Sequence, residues 1–232
     1  MKAVDGLVVL SPQLAETVRD VFGYKGPVSI EPSAFSPEIF KPAPFSWPEK
    51  GETLHLVYLG RFHKGKGVEE LVAAMEYLPD NVHLRIIGGS PKDRYEALQR
   101  AASHIREGAT RISFTGALPQ REAATAVEGA HIFVIPQQGG ELFFSPLKLY
   151  EALALGVPVL ATPLDTFAAQ REAGLIATAP GTEPRELAEG IMHLAANKEH
   201  AFALREKGLA AARSATWQSR AERILEFCRN LP

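Results

Sequence analysis

One cysteine, Cys228, occurs in 232 residues. No internal disulfide can form, so a reducing compartment is expected, with the cytoplasm as the default location. A lone late cysteine with no histidine near it in sequence reads as an apolar filler rather than a nucleophile. Net charge is scarce as well. Lys and Arg number 25 against 27 Asp and Glu, a balance of −2, which gives no electrostatic case for nucleic acid or an anionic membrane. No apolar run is long enough to span a bilayer, although a peripheral membrane contact stays open. The opening residues carry one lysine and a short apolar run, Leu7–Leu10, so no signal peptide is expected. Internal repeats and low-complexity tracts are absent too.

What the chain does contain is alternation. Short apolar runs at Gly6–Leu10, Val28–Glu31, Leu54–Gly60, His83–Gly88, Arg111–Thr115, His131–Pro136, Pro158–Thr162 and Leu175–Thr178 read as strands. Several are apolar at successive residues, as in Ile132-Phe133-Val134-Ile135, and such strands are covered on both faces of a parallel sheet. Helical patterns lie between them. Val68, Leu71, Val72, Met75 and Leu78 recur at helical spacing before Pro79. Pro119 marks a helix start and Gly129 a helix end, and Ser145-Pro146 reads as an N-cap followed by proline at the first helical position. From residue 54 to about residue 196 the expected fold is α/β, a doubly wound parallel sheet. Residues 1–24 add one strand and one helix. Prolines at 32, 37, 42, 44 and 48 mark an extended linker. Two closing helices are expected, Glu199–Ser214 and Trp217–Leu231, the last with an apolar stripe of Ala221, Ile224, Leu225 and Cys228.

Three segments carry chemistry. Gly60-Arg61-Phe62-His63-Lys64-Gly65-Lys66-Gly67 stands between a strand and a helix. Glycines there let backbone N–H groups approach an anion, Arg61 and Lys66 add positive charge, and the helix start adds its dipole. The spacing is that of a P-loop, but Gly67 occupies the place where Ser or Thr would hold magnesium, so an NTPase is disfavoured. The alternative is a solvated basic turn. Next, Ser145-Pro146-Leu147-Lys148 begins a helix after a glycine-containing loop, where the amides of Leu147 and Lys148 can bind an anion. Glu151, a turn and a half inside, is placed to accept hydrogen bonds from vicinal ribose hydroxyls, unless it is an ordinary surface glutamate. Finally, Phe114-Thr115-Gly116-Ala117-Leu118 ends a strand, where such sheets bind ligands and a backbone rim could read a nucleobase. A plain connection would look the same.

Taken together, Gly60-Arg61, Lys66-Gly67, Leu84–Gly88, Phe114–Gly116, Phe133–Pro136 and Leu147–Val159 resemble the donor-binding half of group 1 (family four) glycosyltransferases over roughly residues 50–200. The resemblance implies the GT-B fold, two Rossmann-like domains facing across a cleft. By resemblance, Arg61 and Lys66 grip the diphosphate of a UDP- or GDP-type sugar, and Glu151 binds the donor ribose. Gly60, Leu147 and Lys148 belong to the donor site, Leu118 lies beside the base, and the helix beginning at Ser145 meets the phosphates. It further implies transfer with retention, no cofactor and no metal. Physics agrees with the leaving-group part: negative charge builds on the β-phosphate in the transition state, and fixed cations there neutralise it.

Departures from the family pattern are visible. Phe143 stands eight positions before Glu151, where the family often has a first glutamate, and Glu141 is two residues early. Ala34 and Ser36 replace a glycine and an aspartate of the interdomain segment. Residues 1–49 resemble only the end of the acceptor half and its linker, 50–214 the nucleotide-sugar-binding domain, and 215–232 the crossover helix. A piece of a longer chain, or a subunit needing a partner that supplies the acceptor half, is therefore expected. Self-association through the termini is a further possibility. None of the seven histidines is assigned the catalytic role that the family places in the missing half. Two other readings compete: a non-catalytic nucleotide-binding or assembly module with a vestigial donor site, and a related nucleotide-sugar epimerase.

Overall fold

The computed structural model describes residues 4–89, 91–139 and 147–231. Among the described residues eight strands are formed: β1 (Leu7–Val9), β2 (Val28–Ile30), β3 (Leu54–Leu59), β4 (Val82–Ile87), β5 (Ile112–Gly116), β6 (Ile132–Ile135), β7 (Val159–Ala161) and β8 (Ala177–Thr178). The α-helices among the same residues are α1 (Pro12–Asp20), α2 (Val68–Ala74), α3 (Lys92–His104), α4 (Gly108–Arg111), α5 (Gln120–Val127), α6 (Leu147–Leu155), α7 (Ala168–Glu172), α8 (Pro184–Ala195), α9 (Lys198–Ala212) and α10 (Trp217–Arg229). Every expected strand is present, with ends shifted by one or two residues.

Strands β3 to β8 make one six-stranded sheet in the order β5-β4-β3-β6-β7-β8, and all its pairings are parallel. The chain starts in the middle at β3, runs outward through β4 and β5, then returns to the other side of β3 at β6. The strand order therefore reverses between β3 and β6, and the crevice at the carboxyl ends of those two strands is where such sheets hold ligands.

Consecutive apolar residues on β3 and β6 serve opposite layers. Leu54, Leu56 and Tyr58 of β3 join Ile132 and Val134 of β6 in a core under α2, α3 and α8. Val57 and Leu59 join Phe133 and Ile135 in the other core, with Leu149 and Leu153 of α6 and Val127 of α5. Helix starts follow local chemistry. Ser11 Oγ accepts the Leu14 amide at 3.2 Å with Pro12 as the first helical residue. Asn197 Oδ1 accepts the His200 amide at 2.9 Å.

Several expectations need correction. Val68 to Leu78 is not one helix: α2 ends at Ala74 and a 3₁₀ turn, Met75–Tyr77, completes the run. Arg111 does not open a strand. It ends α4, and its side chain turns inward to reach backbone carbonyls 29 to 36 residues earlier. Pro119 does mark a helix start, as the N-cap of α5.

The proline-rich segment is extended but not a free linker. Ala34, Phe35, Phe40 and Trp47 are buried, and the Phe35 backbone exchanges hydrogen bonds with Ala215 and Trp217. Strands β1 and β2 form a separate two-stranded parallel sheet joined by α1. Helix α10 packs on this unit, but not through the expected stripe. Ala221, Leu225 and Cys228 are exposed. The contact runs through Phe227 and Leu231, which close over Gly6, and through an ion pair between Arg223 Nε and Glu31 Oε2 at 2.8 Å. Among the described residues no helix is long and apolar enough to cross a membrane.

Candidate functional site

The turn after β3 is built to hold its basic residues outward. Phe62 is fully buried and stacks parallel to Tyr95 with ring centres 6.1 Å apart. Its carbonyl accepts Arg94 Nη1 at 2.9 Å, and Arg94 also pairs with Glu69 Oε1 at 2.9 Å. One residue earlier, the Arg61 carbonyl accepts the Tyr58 hydroxyl at 2.8 Å. Burial, helped by Glu69, pushes the Tyr58 phenol well above its usual range, so it stays a neutral donor. With its backbone fixed at both carbonyls, the turn presents Arg61, His63 and Lys64 as exposed side chains.

Two glycines allow the strand ends to crowd together. Gly67 caps α2 at φ 71°, and a β-carbon there would collide with the carbonyl of Pro136. Serine or threonine is excluded by that contact, which accounts for the missing P-loop hydroxyl. Gly88 has φ 139°, and a β-carbon on it would strike the carbonyl of Gly60. Backbone hydrogen bonds tie the same strand ends: Gly60 donates to Ile87 at 3.0 Å, Gly88 to Gly116 at 2.9 Å, and Gln138 to Gly65 at 2.8 Å.

These elements enclose a cavity of about 640 Å³, a size suited to a small organic ligand. It sits at the reversal point, lined by the ends of β3 and β6. Gly60, Arg61 and Lys66 line one side, Leu147 and Lys148 of α6 another, and Ala117 and Leu118 the rim. His63 also borders the cavity, as does Gln137. Gln137 is buried, and its carbonyl accepts Thr162 Oγ1 at 2.6 Å.

Glu151 is not a surface residue. It is 1% exposed and lies behind the cavity rather than among the residues lining it. Its Oε2 pairs with Lys148 Nζ at 2.8 Å, and its Oε1 accepts Gln120 Nε2 of α5 at 3.5 Å. Ser145, the expected cap of α6, lies outside the described residues, as do Glu141, Phe143 and Pro146. Among the described residues no group of three or more His, Cys, Asp or Glu side chains could hold a metal ion. The groups facing the cavity are cations, amides and apolar surface, a set suited to a phosphorylated organic ligand.

Sequence reasoning missed Phe62, Tyr58 and Gln120. A buried aromatic inside a basic turn was a legible hint for the first. Nothing local pointed to Gln120, because α5 and α6 meet only in the folded sheet.

Comparison with known proteins agrees with this geometry. A family profile described as glycosyl transferases group 1 matches residues 53–197. Phosphatidyl-myo-inositol mannosyltransferase of Mycobacterium tuberculosis is 29% identical over 194 residues, which cover 77% of this chain and 47% of that protein. The chain thus spans about half the length of the curated relative it matches. Among solved structures, sucrose-phosphate synthase from Thermosynechococcus elongatus superposes with a TM-score of 0.78 at 23% identity, over 97% of this chain and 58% of that one. Anabaena HepE, solved in complex with UDP, gives 0.79 at 17% identity over 97% and 63%. The sheet order, the cavity at its reversal point and the profile match converge: this chain belongs to the group 1 glycosyl transferases, and its Rossmann-like sheet is that of the C-terminal half of a GT-B fold.

Proposed function

We propose that this chain supplies the donor-binding half of a glycosyltransferase, which moves a sugar from a UDP- or GDP-type nucleotide sugar to an acceptor with retention and without a metal. The observation that carries this reading is that Arg61, Lys66 and Lys148 border one cavity at the carboxyl ends of β3 and β6. A diphosphate seated there meets three cationic side chains and the amides at the start of α6. Departure of a nucleoside diphosphate concentrates negative charge on the β-phosphate, and preorganised cations lower that barrier by about 2–4 kcal/mol for each effective donor. The apolar rim of Ala117 and Leu118 suits a base. Glu151, reached from the cavity past Lys148, is the group for the ribose hydroxyls. That HepE, which shares this fold, was solved in complex with UDP is consistent with a nucleotide ligand.

In this reading residues 1–49 are the end of the acceptor half with its linker, 50–214 the donor domain and 215–232 the crossover helix. The acceptor half comes from elsewhere, and transfer by the chain alone is expected to be poor. Calorimetry with UDP and GDP is the test. Saturable binding that weakens in Arg61→Ala and Lys66→Ala supports the reading, and no binding of either nucleotide would overturn it.

A further inference from the structure

A cation bordering the cavity also covers the carboxylate behind it. Lys148 and Glu151 sit three residues apart on α6, with Nζ 2.8 Å from Oε2. The lysine side chain is 37% exposed and that of the glutamate 1%. The second carboxylate oxygen is taken by Gln120 Nε2 at 3.5 Å. Both oxygens of Glu151 are therefore engaged, one of them by a side chain that itself lines the cavity.

A carboxylate removed from water keeps a charged partner, and parting the two without replacement is costly. For Glu151 to receive hydroxyl donors, the ammonium must leave Oε2, and it leaves readily only towards another anion. Lysine suits such an exchange, being a compact charge on a flexible stem. Arg61 and Lys66 mark where that second anion binds.

Resting on the donor-site reading above, we propose that Lys148 is a positioning residue that couples recognition of the diphosphate to recognition of the ribose. With no diphosphate present, its ammonium stays on Glu151 and shields it from hydroxyls. A bound diphosphate draws the ammonium across the cavity, and Glu151 is opened to the 2′- and 3′-hydroxyls of the same ligand. Selectivity for ribose then depends on the diphosphate being attached. A free nucleoside cannot release the lysine, so it gains little from its hydroxyls.

The test measures four probes on the whole chain: UDP, 2′-deoxy-UDP, uridine and 2′-deoxyuridine, with the guanine set in parallel. Affinities come from calorimetry for the diphosphates and ligand-observed magnetic resonance for the nucleosides. In the unaltered protein, loss of the 2′-hydroxyl weakens the diphosphate about tenfold and the nucleoside less than about twofold, a coupling of ordinary size. In Lys148→Met the two losses converge to within about twofold. Lys148→Gln, which keeps a donor but no charge, gives the same convergence should the methionine variant fail to fold, and Lys148→Arg retains the difference. Equal losses in the unaltered protein would overturn the proposal. So would a neutral variant that keeps the original difference, or one that weakens all four probes alike. Failure of the unaltered protein to bind any nucleoside diphosphate would instead overturn the donor-site reading itself.

Discussion

The α-carbon of Gly67 lies directly against the carbonyl oxygen of Pro136, with no room for a side chain between them. One residue opens α2 and the other closes β6, so this contact sets how near the basic turn comes to the far wall of the cavity. Gly67→Ser is expected to destabilise the fold by about 2–4 kcal/mol, since it adds left-handed strain to a backbone collision. Gly65→Ala is the control. Its φ is 86° but a β-carbon there meets nothing within 4 Å, so only strain of about 1 kcal/mol is expected. Urea denaturation of the two variants makes the comparison, and equal losses would contradict it.

Arg61 is exposed and Lys66 half-buried, so Arg61→Ala should leave the denaturation midpoint nearly unchanged while weakening nucleoside diphosphate binding by about 1.5–3 kcal/mol, the range for charge-assisted hydrogen bonds. Lys66→Ala should act similarly on binding. Titration calorimetry decides, and full affinity in the double variant would remove the diphosphate from this turn.

Arg111 should matter to folding and not to ligand binding. Its guanidinium is buried and donates to the carbonyls of Val82, Met75, Leu78 and Pro79 at 3.2, 3.1, 3.1 and 2.9 Å. They cluster where the 3₁₀ turn ends before β4, and two of them, Met75 and Pro79, also accept the backbone amides of Leu78 and Val82. Arg111→Met removes four charge-assisted hydrogen bonds at once from a largely buried turn, at a cost of about 3–5 kcal/mol. A variant with an unchanged midpoint would show that water replaces the guanidinium freely.

Acid should weaken the fold through His131. Burial, with His55 adding to it, holds this imidazole down at about 4, and its Nδ1 accepts the His55 amide at 2.9 Å. The unfolded chain takes up this proton near pH 6.5, while the folded chain resists until about pH 4. Stability is therefore complete above pH 6.5 and is lost as pH falls from there to about 4, by about 3 kcal/mol in total. His55, also lowered by burial, acts in the same direction. His131→Asn keeps an acceptor for the His55 amide and should flatten the profile between pH 6.5 and 4.5. An unchanged slope would place the acid sensitivity elsewhere.

Residues 60–67 and 147–151 were legible as a candidate site because glycines, cations and a strand-to-helix order are local signals. The turn's anchoring was not, since Phe62 finds Tyr95 and Arg94 on α3 and only the folded chain brings these together. Burial of Glu151 had a partial signal, since α6 is apolar nearly all round, but Gln120 reaches the carboxylate only in the folded chain.

Periodicity and punctuation in the chain were enough to establish the parallel sheet and the place of its helices. Continuous runs such as Ile132–Ile135 need cover on both faces, and Ser11-Pro12 or Asn197 start helices through bonds within a few residues. The strand order, with β6 returning beside β3, belongs to another level. It rests on contacts between segments some 75 residues apart, and it brings Gln120 to Glu151 and sets Pro136 against Gly67. Such pairings are stabilised by packing across the sheet, and no short window of residues encodes them.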